Sequence, residues 1–175
     1  MRFQGTCYRA HDPRWAFSPL SGDGARTHGS RFNPRGVPAL YLALTLEGMF
    51  CEMGHGFARR FDPLTVCAYE VDAEDIVDLR DEAGRKANGV GLSDLSCAWL
   101  DDVATKREPA SWRMAARLIA DGRAGALVPS FATGARPDMA NLVLWKWGPV
   151  PPHRVEVHDP SGRLPKDQTS WPEGS

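Results

Sequence analysis

The segment Gly29–Tyr41 reads GSRFNPRGVPALY, and it marks the point where a long loop passes into a strand. Turn-forming Asn-Pro and Arg-Gly pairs fill its first half. An apolar run of strand length, residues 39–43, begins in its second half. The loop starts at about Pro13, and loops of this length are uncommon in compact domains unless they form part of a site. The segment therefore predicts polar side chains held beside a buried strand.

A helix is predicted directly after this strand. Thr45 can cap its first turn, and four apolar residues recur at helical spacing as one core-facing stripe. The stripe consists of Leu46, Met49, Phe50 and Met53. Glu52 lies at its flank, where a carboxylate can either face a cleft or remain a solvated surface charge. The helix alone leaves both interpretations of Glu52 open.

The rest of the chain alternates short apolar runs with turn-rich connections, which is typical of mixed α and β structure. Strands are predicted over 64–71, 76–79, 126–128, 142–147 and 154–157. A helix is predicted over 110–120, with Trp112, Ala115, Ala116 and Ile119 on its buried face. Residues 82–105 fit helix or loop. We expect an α+β fold, a compact single domain with a mixed sheet and flanking helices over residues 1–158, followed by a mobile tail over 159–175.

Composition excludes several classes of protein. The chain has 175 residues, 42% apolar and 25% charged, as expected for one globular domain. A net charge of -1 argues against a protein that coats nucleic acid. No stretch is apolar enough to span a bilayer or to act as a secretion signal, so we expect a cytoplasmic protein without a membrane partner. The four cysteines form no C-x-x-C pair, and Cys51 with His55 supplies too few ligands for a metal.

Charge is unevenly distributed along the chain. The first 35 residues contain six arginines against two aspartates, a net charge of +4. The chain as a whole has 17 arginines and 4 lysines, so a general preference for arginine is one explanation. The other is a site where guanidinium groups bind phosphate oxygens in pairs. Composition does not decide between them.

No familiar nucleotide or hydrolase motif is present in the sequence. The chain lacks G-x-x-x-x-G-K-[ST], G-x-S-x-G and H-E-x-x-H, and GDGARTHG lacks the spacing and the preceding strand of a dinucleotide fingerprint. An ordered set of polar residues beside predicted strands remains. It consists of Tyr8 and Arg9, the RFNPRGVPALY segment, Glu52, and the Val128-Pro129-Ser130 run.

This order resembles the RES-domain family, in which a loop of the G-x-R-[WF]-N-P-x-G-x-P-x-L-Y type precedes a helix with a single glutamate. The match extends from Tyr8 to Trp147. Phe32 stands where the family often has tryptophan, and the match after Ser130 is loose enough to leave the role of Asn141 open. The resemblance implies a fold like that of ADP-ribosylating toxins, NAD+ as the substrate, and the role of toxin in a bacterial toxin–antitoxin pair.

Carried over to this sequence, the family's functional residues fall on Arg9, Arg31, Tyr41, Glu52 and Ser130. The expected catalytic residues are Glu52, Arg31 and Tyr41. Cleavage of the bond between nicotinamide and ribose builds positive charge on the sugar, which the Glu52 carboxylate would stabilise. Arg9 and Arg31 would bind the pyrophosphate. Tyr41 would stack on the nicotinamide ring, and Ser130 would donate to a phosphate or ribose oxygen.

The resemblance also implies a cognate antitoxin that blocks the active site, and it requires no metal. Such an enzyme is an ADP-ribosyltransferase if a protein side chain accepts the ADP-ribosyl group, or a consumer of NAD+ if water or phosphate does. The sequence leaves the acceptor open. The alternative to an enzyme is a protein of another functional class, a non-catalytic nucleotide-binding or interaction module on the same scaffold.

Overall fold

Residues 1–53 and 63–169, which the computed structural model describes, form a seven-stranded sheet with helices packed against it. The elements in chain order are β1 (Phe3–His11), a 3₁₀ turn (Pro13–Trp15), α1 (Asp23–His28), β2 (Leu40–Ala43), α2 (Leu46–Met53), β3 (Thr65–Ala73), β4 (Ile76–Asp78), α3 (Glu82–Ala87), α4 (Leu92–Leu95), α5 (Trp99–Ala104), α6 (Ala110–Ala120), β5 (Gly125–Pro129), β6 (Ala140–Leu144) and β7 (His153–Val157). The strands lie in the order β4-β5-β6-β2-β1-β3-β7. In this described sheet β4 and β5 run parallel, and the other neighbours are antiparallel.

Alternate strand residues bury the two faces of the sheet in separate clusters. Leu42 and Leu142 belong to one cluster, whereas Val143 belongs to the other. The second cluster also contains Met114 and Leu118, so α6 covers that face. Apolar burial on both faces is the main stabilising contribution to such a layered domain. The predicted α+β class with a mixed sheet is confirmed.

Helix α6 has the predicted bounds but not the predicted face. Its buried residues are Ser111, Met114, Ala115 and Leu118, and Ala116 is exposed. The predicted stripe is therefore wrong by about one residue. The reason lies in Trp112, whose indole N–H donates to the Ser30 carbonyl at 2.7 Å. That contact turns the ring toward the loop, and the residues beside it pack on the sheet.

Strand β1 has no counterpart among the predicted strands, although it lies in the sheet between β2 and β3. Residues 82–105, left open by the sequence, contain the three short helices α3, α4 and α5. After β7, Asp159 accepts hydrogen bonds from the backbone N–H groups of Arg163 (2.8 Å) and Leu164 (2.9 Å). Leu164 packs against the core. The domain boundary at 158 and the mobile tail stay predictions.

Tryptophan side chains hold the long loop between β1 and β2 to the rest of the domain. Three indole N–H groups donate to its main-chain carbonyls, Trp147 to Leu20 (3.0 Å), Trp112 to Ser30 (2.7 Å) and Trp145 to Phe32 (2.9 Å). Two of these carbonyls flank Arg31. The backbone that carries the Arg31 side chain is therefore restrained on both sides.

Asn33 holds the same loop from within. It is fully buried, and its Nδ2 donates to the carbonyls of Ala25 (2.8 Å) and Val37 (2.9 Å). Its Oδ1 accepts a hydrogen bond from the Tyr41 hydroxyl at 2.8 Å. A buried amide must be paired on both its oxygen and its nitrogen, which Asn33 achieves. The asparagine of the RFNPRGVPALY segment thus ties the loop to β2.

His11 makes the stability of the fold sensitive to acid. Its buried ring bonds the Tyr69 hydroxyl at 2.5 Å, and burial together with the nearby charge of Arg9 lowers the pKa of His11 from 6.5 to about 4. The unfolded chain therefore binds a proton at higher pH than the folded chain does. The contribution of neutral, buried His11 to the free energy of unfolding is fully present above about pH 6.5, and it is lost as the pH falls toward 4. Between pH 7 and pH 5 we expect His11 to lower the free energy of unfolding by about 2 kcal/mol.

Urea unfolding at these two pH values measures the loss. His11→Gln should remove this part of the pH dependence, because glutamine does not titrate. His28→Gln, at an exposed position on α1, should leave it intact. The same pH dependence in the wild-type and His11→Gln proteins would contradict the assignment to His11.

Candidate functional site

Helix α2 places Glu52 against the sheet. The Gly48 N–H donates to Thr45 Oγ1 at 3.0 Å, which confirms the predicted cap. The helix packs on β1 and β2, and its buried residues are Gly48 and Met49. Glu52 follows them by one helical turn and lies on the same face. Its side chain is half-buried rather than fully solvated.

The predicted core-facing stripe on α2 is wrong in part. Met49 is buried, but Leu46 is 44% exposed and Phe50 is 51% exposed. Gly48 is buried instead, at a position where a Cβ would lie 3.9 Å from the Ala43 Cβ on β2. A Cβ at Gly48 would lie 3.0 Å from Thr45 Oγ1. This rotation of the helix turns Glu52 toward the sheet.

Two side-chain donors hold one oxygen of the Glu52 carboxylate. Ser130, directly after β5, donates from Oγ to Oε1 at 2.5 Å, and Asn141 on β6 donates from Nδ2 to the same oxygen at 2.6 Å. Within the described part of the chain, Oε2 accepts no hydrogen bond. Hydrogen bonds to a charged acceptor are short and strong, so they fix the carboxylate plane. Glu52 thus presents one oriented oxygen that has no donor among the described residues.

Arg31 is anchored by carbonyl groups rather than by a carboxylate. Its Nη1 donates to the carbonyls of Cys97 (2.8 Å) and Leu95 (3.4 Å), and its guanidinium lies over the Phe131 ring, 5.1 Å from the centroid. Burial lowers the pKa of Arg31, against the opposing effect of the nearby Cys97 and Glu52 groups. It forms no ion pair with any described residue. Its charge is therefore available to an anion.

Arg9 and Tyr41 approach the same site from β1 and β2. Arg9 Nη1 donates to the Ser21 carbonyl at 3.2 Å, and burial lowers the pKa of Arg9. The Tyr41 hydroxyl donates to Asn33 Oδ1 and accepts from the backbone N–H of Phe32 at 3.0 Å. Burial raises the pKa of Tyr41 to about 12, so the hydroxyl stays protonated. Both side chains are held in place.

These side chains line two neighbouring cavities. The first, the β1 cavity, has a volume of about 290 Å³ and is lined by Tyr8, Arg9 and Met49 among others. The second, the α5 cavity, has a volume of about 250 Å³ and is lined by Arg31, Trp99 and Phe131 among others. Four residues line both cavities and form their shared border. They are Ser30, Tyr41, Glu52 and Asn141.

The structure brings together all five residues that the sequence singled out. Arg9 lines the β1 cavity, Arg31 lines the α5 cavity, and Tyr41 and Glu52 lie at the shared border. Ser130 reaches this place through its hydrogen bond to Glu52. The two arginines are thus divided between the cavities instead of lying side by side.

Two residues of the site were missed or left open by the sequence analysis. Ser30 lies next to Arg31 in the motif, and that position was its only signal. Asn141 has no local signal, because its contact with Glu52 joins residues 89 positions apart in the chain. Such a pairing becomes visible once β6 is placed beside β2.

Residues 1–53 and 63–169 contain no group of three or more His, Cys, Asp or Glu side chains arranged to hold a metal ion. Cys51 donates its thiol to the Thr133 carbonyl at 3.6 Å. His55, the second residue of the weak pair considered above, lies outside the described residues. No helix within these same ranges is both long and apolar enough to cross a membrane.

Fold and site together define a single α+β domain with an oriented glutamate at the border of two arginine-containing cavities. The chain belongs to the RES domain family, whose model matches residues 6–167. Among solved structures, the crystal structure of the M. tuberculosis MbcT–MbcA toxin–antitoxin complex contains a chain similar to this one, with a TM-score of 0.56 and 22% sequence identity. The match covers 91% of this chain and 84% of that chain. A comparison with curated proteins finds no match.

Proposed function

We propose that this protein is a toxin enzyme that cleaves NAD+ at the bond between nicotinamide and ribose, and that a cognate antitoxin blocks its active site. The observation that carries the proposal is the Glu52 carboxylate, fixed by Ser130 and Asn141 with one oxygen free of described donors. Arg9 and Arg31, which have no described carboxylate partner, lie on either side of it in the two cavities. Membership of the RES domain family supports the same function.

The reaction needs a carboxylate at the sugar. When the glycosidic C–N bond breaks, its electron pair leaves with nicotinamide, which becomes neutral, and positive charge develops on the ribose ring. A carboxylate beside that ring stabilises the charge and can accept a hydrogen bond from the 2′-hydroxyl. We assign this role to Glu52 Oε2. Ser130 and Asn141 keep the group oriented, so little reorganisation accompanies the reaction.

The charged and aromatic groups fit the rest of NAD+. The pyrophosphate carries two negative charges, and a guanidinium binds phosphate oxygens in pairs. We assign Arg31 to these oxygens. Arg9 lies in the other cavity, so we assign it to binding of the nicotinamide half rather than the pyrophosphate. The Tyr41 ring lies at the border with its hydroxyl already bound to Asn33, so its face is the part available for stacking on nicotinamide.

Ser130 was expected to donate to a phosphate or ribose oxygen of the substrate. In the structure its hydroxyl donates to Glu52. We propose that it acts as a positioning residue for the carboxylate. Its described side-chain partner is the Glu52 carboxylate, which the proposed reaction uses at the sugar, so a nucleophilic role is not assigned to Ser130.

One solved structure similar to this chain is a toxin–antitoxin complex. We propose that this protein likewise has an antitoxin partner, which covers the two cavities. Their arginines attract a carboxylate of a protein segment as readily as they attract a pyrophosphate. Substrate and partner would meet the protein in the cytoplasm.

Incubation with NAD+ labelled in the adenylate half tests the proposal. We expect the wild-type protein to release nicotinamide. Free labelled ADP-ribose identifies water as the acceptor, a labelled phosphate ester identifies phosphate, and a labelled protein band identifies an ADP-ribosyltransferase. Binding of NAD+ without any nicotinamide release would replace the proposal with a non-catalytic nucleotide-binding module.

A further inference from the structure

The α5 cavity is an aromatic compartment that the reaction chemistry does not account for. Cleavage requires Glu52, a stacking partner for nicotinamide and charges for the pyrophosphate. The α5 cavity adds Trp99 and Leu100 of α5, together with Phe131, to Arg31. Leu100 is 63% exposed, so this cavity is open toward solvent at α5. An open cavity with aromatic walls suits the outer end of an elongated ligand.

Trp99 differs from the tryptophans that hold the loop. The indoles of Trp112, Trp145 and Trp147 each donate to a main-chain carbonyl. The Trp99 indole N–H has no partner among the described residues, although the ring is half-buried. The described part of the fold therefore does not use the indole donor of Trp99. The ring and its donor are both available to a ligand in the α5 cavity.

Phe131, which lines the α5 cavity together with Trp99 and Phe32, is held by contacts within the protein. The Arg31 guanidinium lies over the Phe131 ring, and the rings of Phe131 and Phe32 contact each other with centroids 6.4 Å apart. Arg31 in turn donates to the Cys97 carbonyl, two residues before Trp99. The α5 cavity thus contains both the Arg31 guanidinium, which can bind phosphate, and the Trp99 ring, which can stack on a base. The hydrogen bond from Arg31 to Cys97 links these two groups through a short segment of the backbone.

We propose that the α5 cavity binds the adenine base of the substrate, with Trp99 as its stacking surface. This inference rests on the proposed NAD+ substrate and assigns its orientation. The glycosidic carbon must lie at Glu52, on the shared border, so the two ends of the dinucleotide occupy different cavities. Adenine is a neutral two-ring base that stacks on aromatic side chains and on guanidinium planes. Nicotinamide then lies in the β1 cavity against Tyr41.

Isothermal titration calorimetry with two ligands tests the adenine assignment, because it measures binding and does not require the enzyme to turn over. ADP-ribose contains adenine and lacks nicotinamide, whereas nicotinamide mononucleotide contains nicotinamide and lacks adenine. Trp99→Ala should weaken the binding of ADP-ribose by roughly 5- to 150-fold, the range found for loss of one base-stacking side chain. It should leave the binding of nicotinamide mononucleotide within about 2-fold. Trp99→Phe should restore most of the affinity for ADP-ribose.

Trp15→Ala provides the matched control, because Trp15 is an exposed tryptophan that lines neither cavity. It should change neither affinity. An equal loss for both ligands in Trp99→Ala, or an unchanged affinity for ADP-ribose, would overturn the adenine assignment. If Trp99→Ala weakens the binding of ADP-ribose alone but the wild-type protein does not cleave NAD+, the adenine assignment stands and the proposed reaction is wrong.

Discussion

Glu52→Gln is expected to slow nicotinamide release from NAD+ by about 10²- to 10³-fold, the range seen when a preorganised electrostatic group is removed from an active site. Glutamine has nearly the shape of glutamate, and its amide oxygen can still accept hydrogen bonds from Ser130 and Asn141. The variant loses the negative charge that stabilises the ribosyl cation. The effect should appear in kcat, with KM for NAD+ changed by less than about 3-fold, because the charge matters most in the transition state.

Glu47→Gln is the matched control for this experiment. Glu47 lies on the same helix, is exposed, and pairs with Arg136 at 2.7 Å on the surface. Its removal should leave nicotinamide release unchanged, since exposed ion pairs contribute little. In cells, expression of the wild-type protein without a partner should arrest growth, and Glu52→Gln should relieve the arrest. A kcat for Glu52→Gln within about 3-fold of wild type would exclude the assigned role of the carboxylate.

Asn33→Ala is expected to lower the free energy of unfolding by about 3 kcal/mol. The substitution leaves the half-buried carbonyls of Ala25 and Val37 without their donor and the Tyr41 hydroxyl without its acceptor, around a fully buried Asn33 side chain. Each unpaired buried polar group costs about 1 to 3 kcal/mol, partly offset by relaxation of the loop. Thermal unfolding should show a fall in Tm of about 10 °C.

Asn88→Ala is the control against which the loss in the free energy of unfolding of Asn33→Ala is compared. Asn88 ends α3, and its side chain makes a single hydrogen bond to the Gly84 carbonyl at 2.8 Å in a half-buried position. Removal of one such bond should cost about 1 kcal/mol. A smaller loss for Asn33→Ala than for Asn88→Ala would show that the buried network around Asn33 does not stabilise the loop.

The fold could be predicted where the sequence pattern is local. The bounds of α6 follow from its apolar period and from Gly122 after its end, and β2 follows from one apolar run. Strand β1 was missed because Gly5 and Arg9 interrupt its apolar pattern, and its place between β2 and β3 comes from pairing with distant segments. The burial of Gly48 on α2 was likewise invisible, since an apolar count gives glycine no weight.

The candidate site shows the same division. The residues of the RFNPRGVPALY segment and Glu52 are close in sequence, and their order carries the resemblance to a family. The partners of Glu52 come from 78 and 89 positions further along the chain. No pattern near Ser130 or Asn141 indicates that both would bond one carboxylate oxygen. The separation of Arg9 from Arg31 into two cavities also depends on the assembled sheet.

The tryptophans that hold the loop have a consequence for which mutations the protein tolerates. They bind main-chain carbonyls, and every residue type supplies a carbonyl. Replacement of Leu20 or Ser30 keeps the acceptor in place, whereas replacement of Trp147 or Trp112 removes the donor. Part of the restraint on the loop is therefore encoded outside it, in α6 and in the segment after β6. A loop position that contributes only its carbonyl can therefore change its side chain while Arg31 keeps its place.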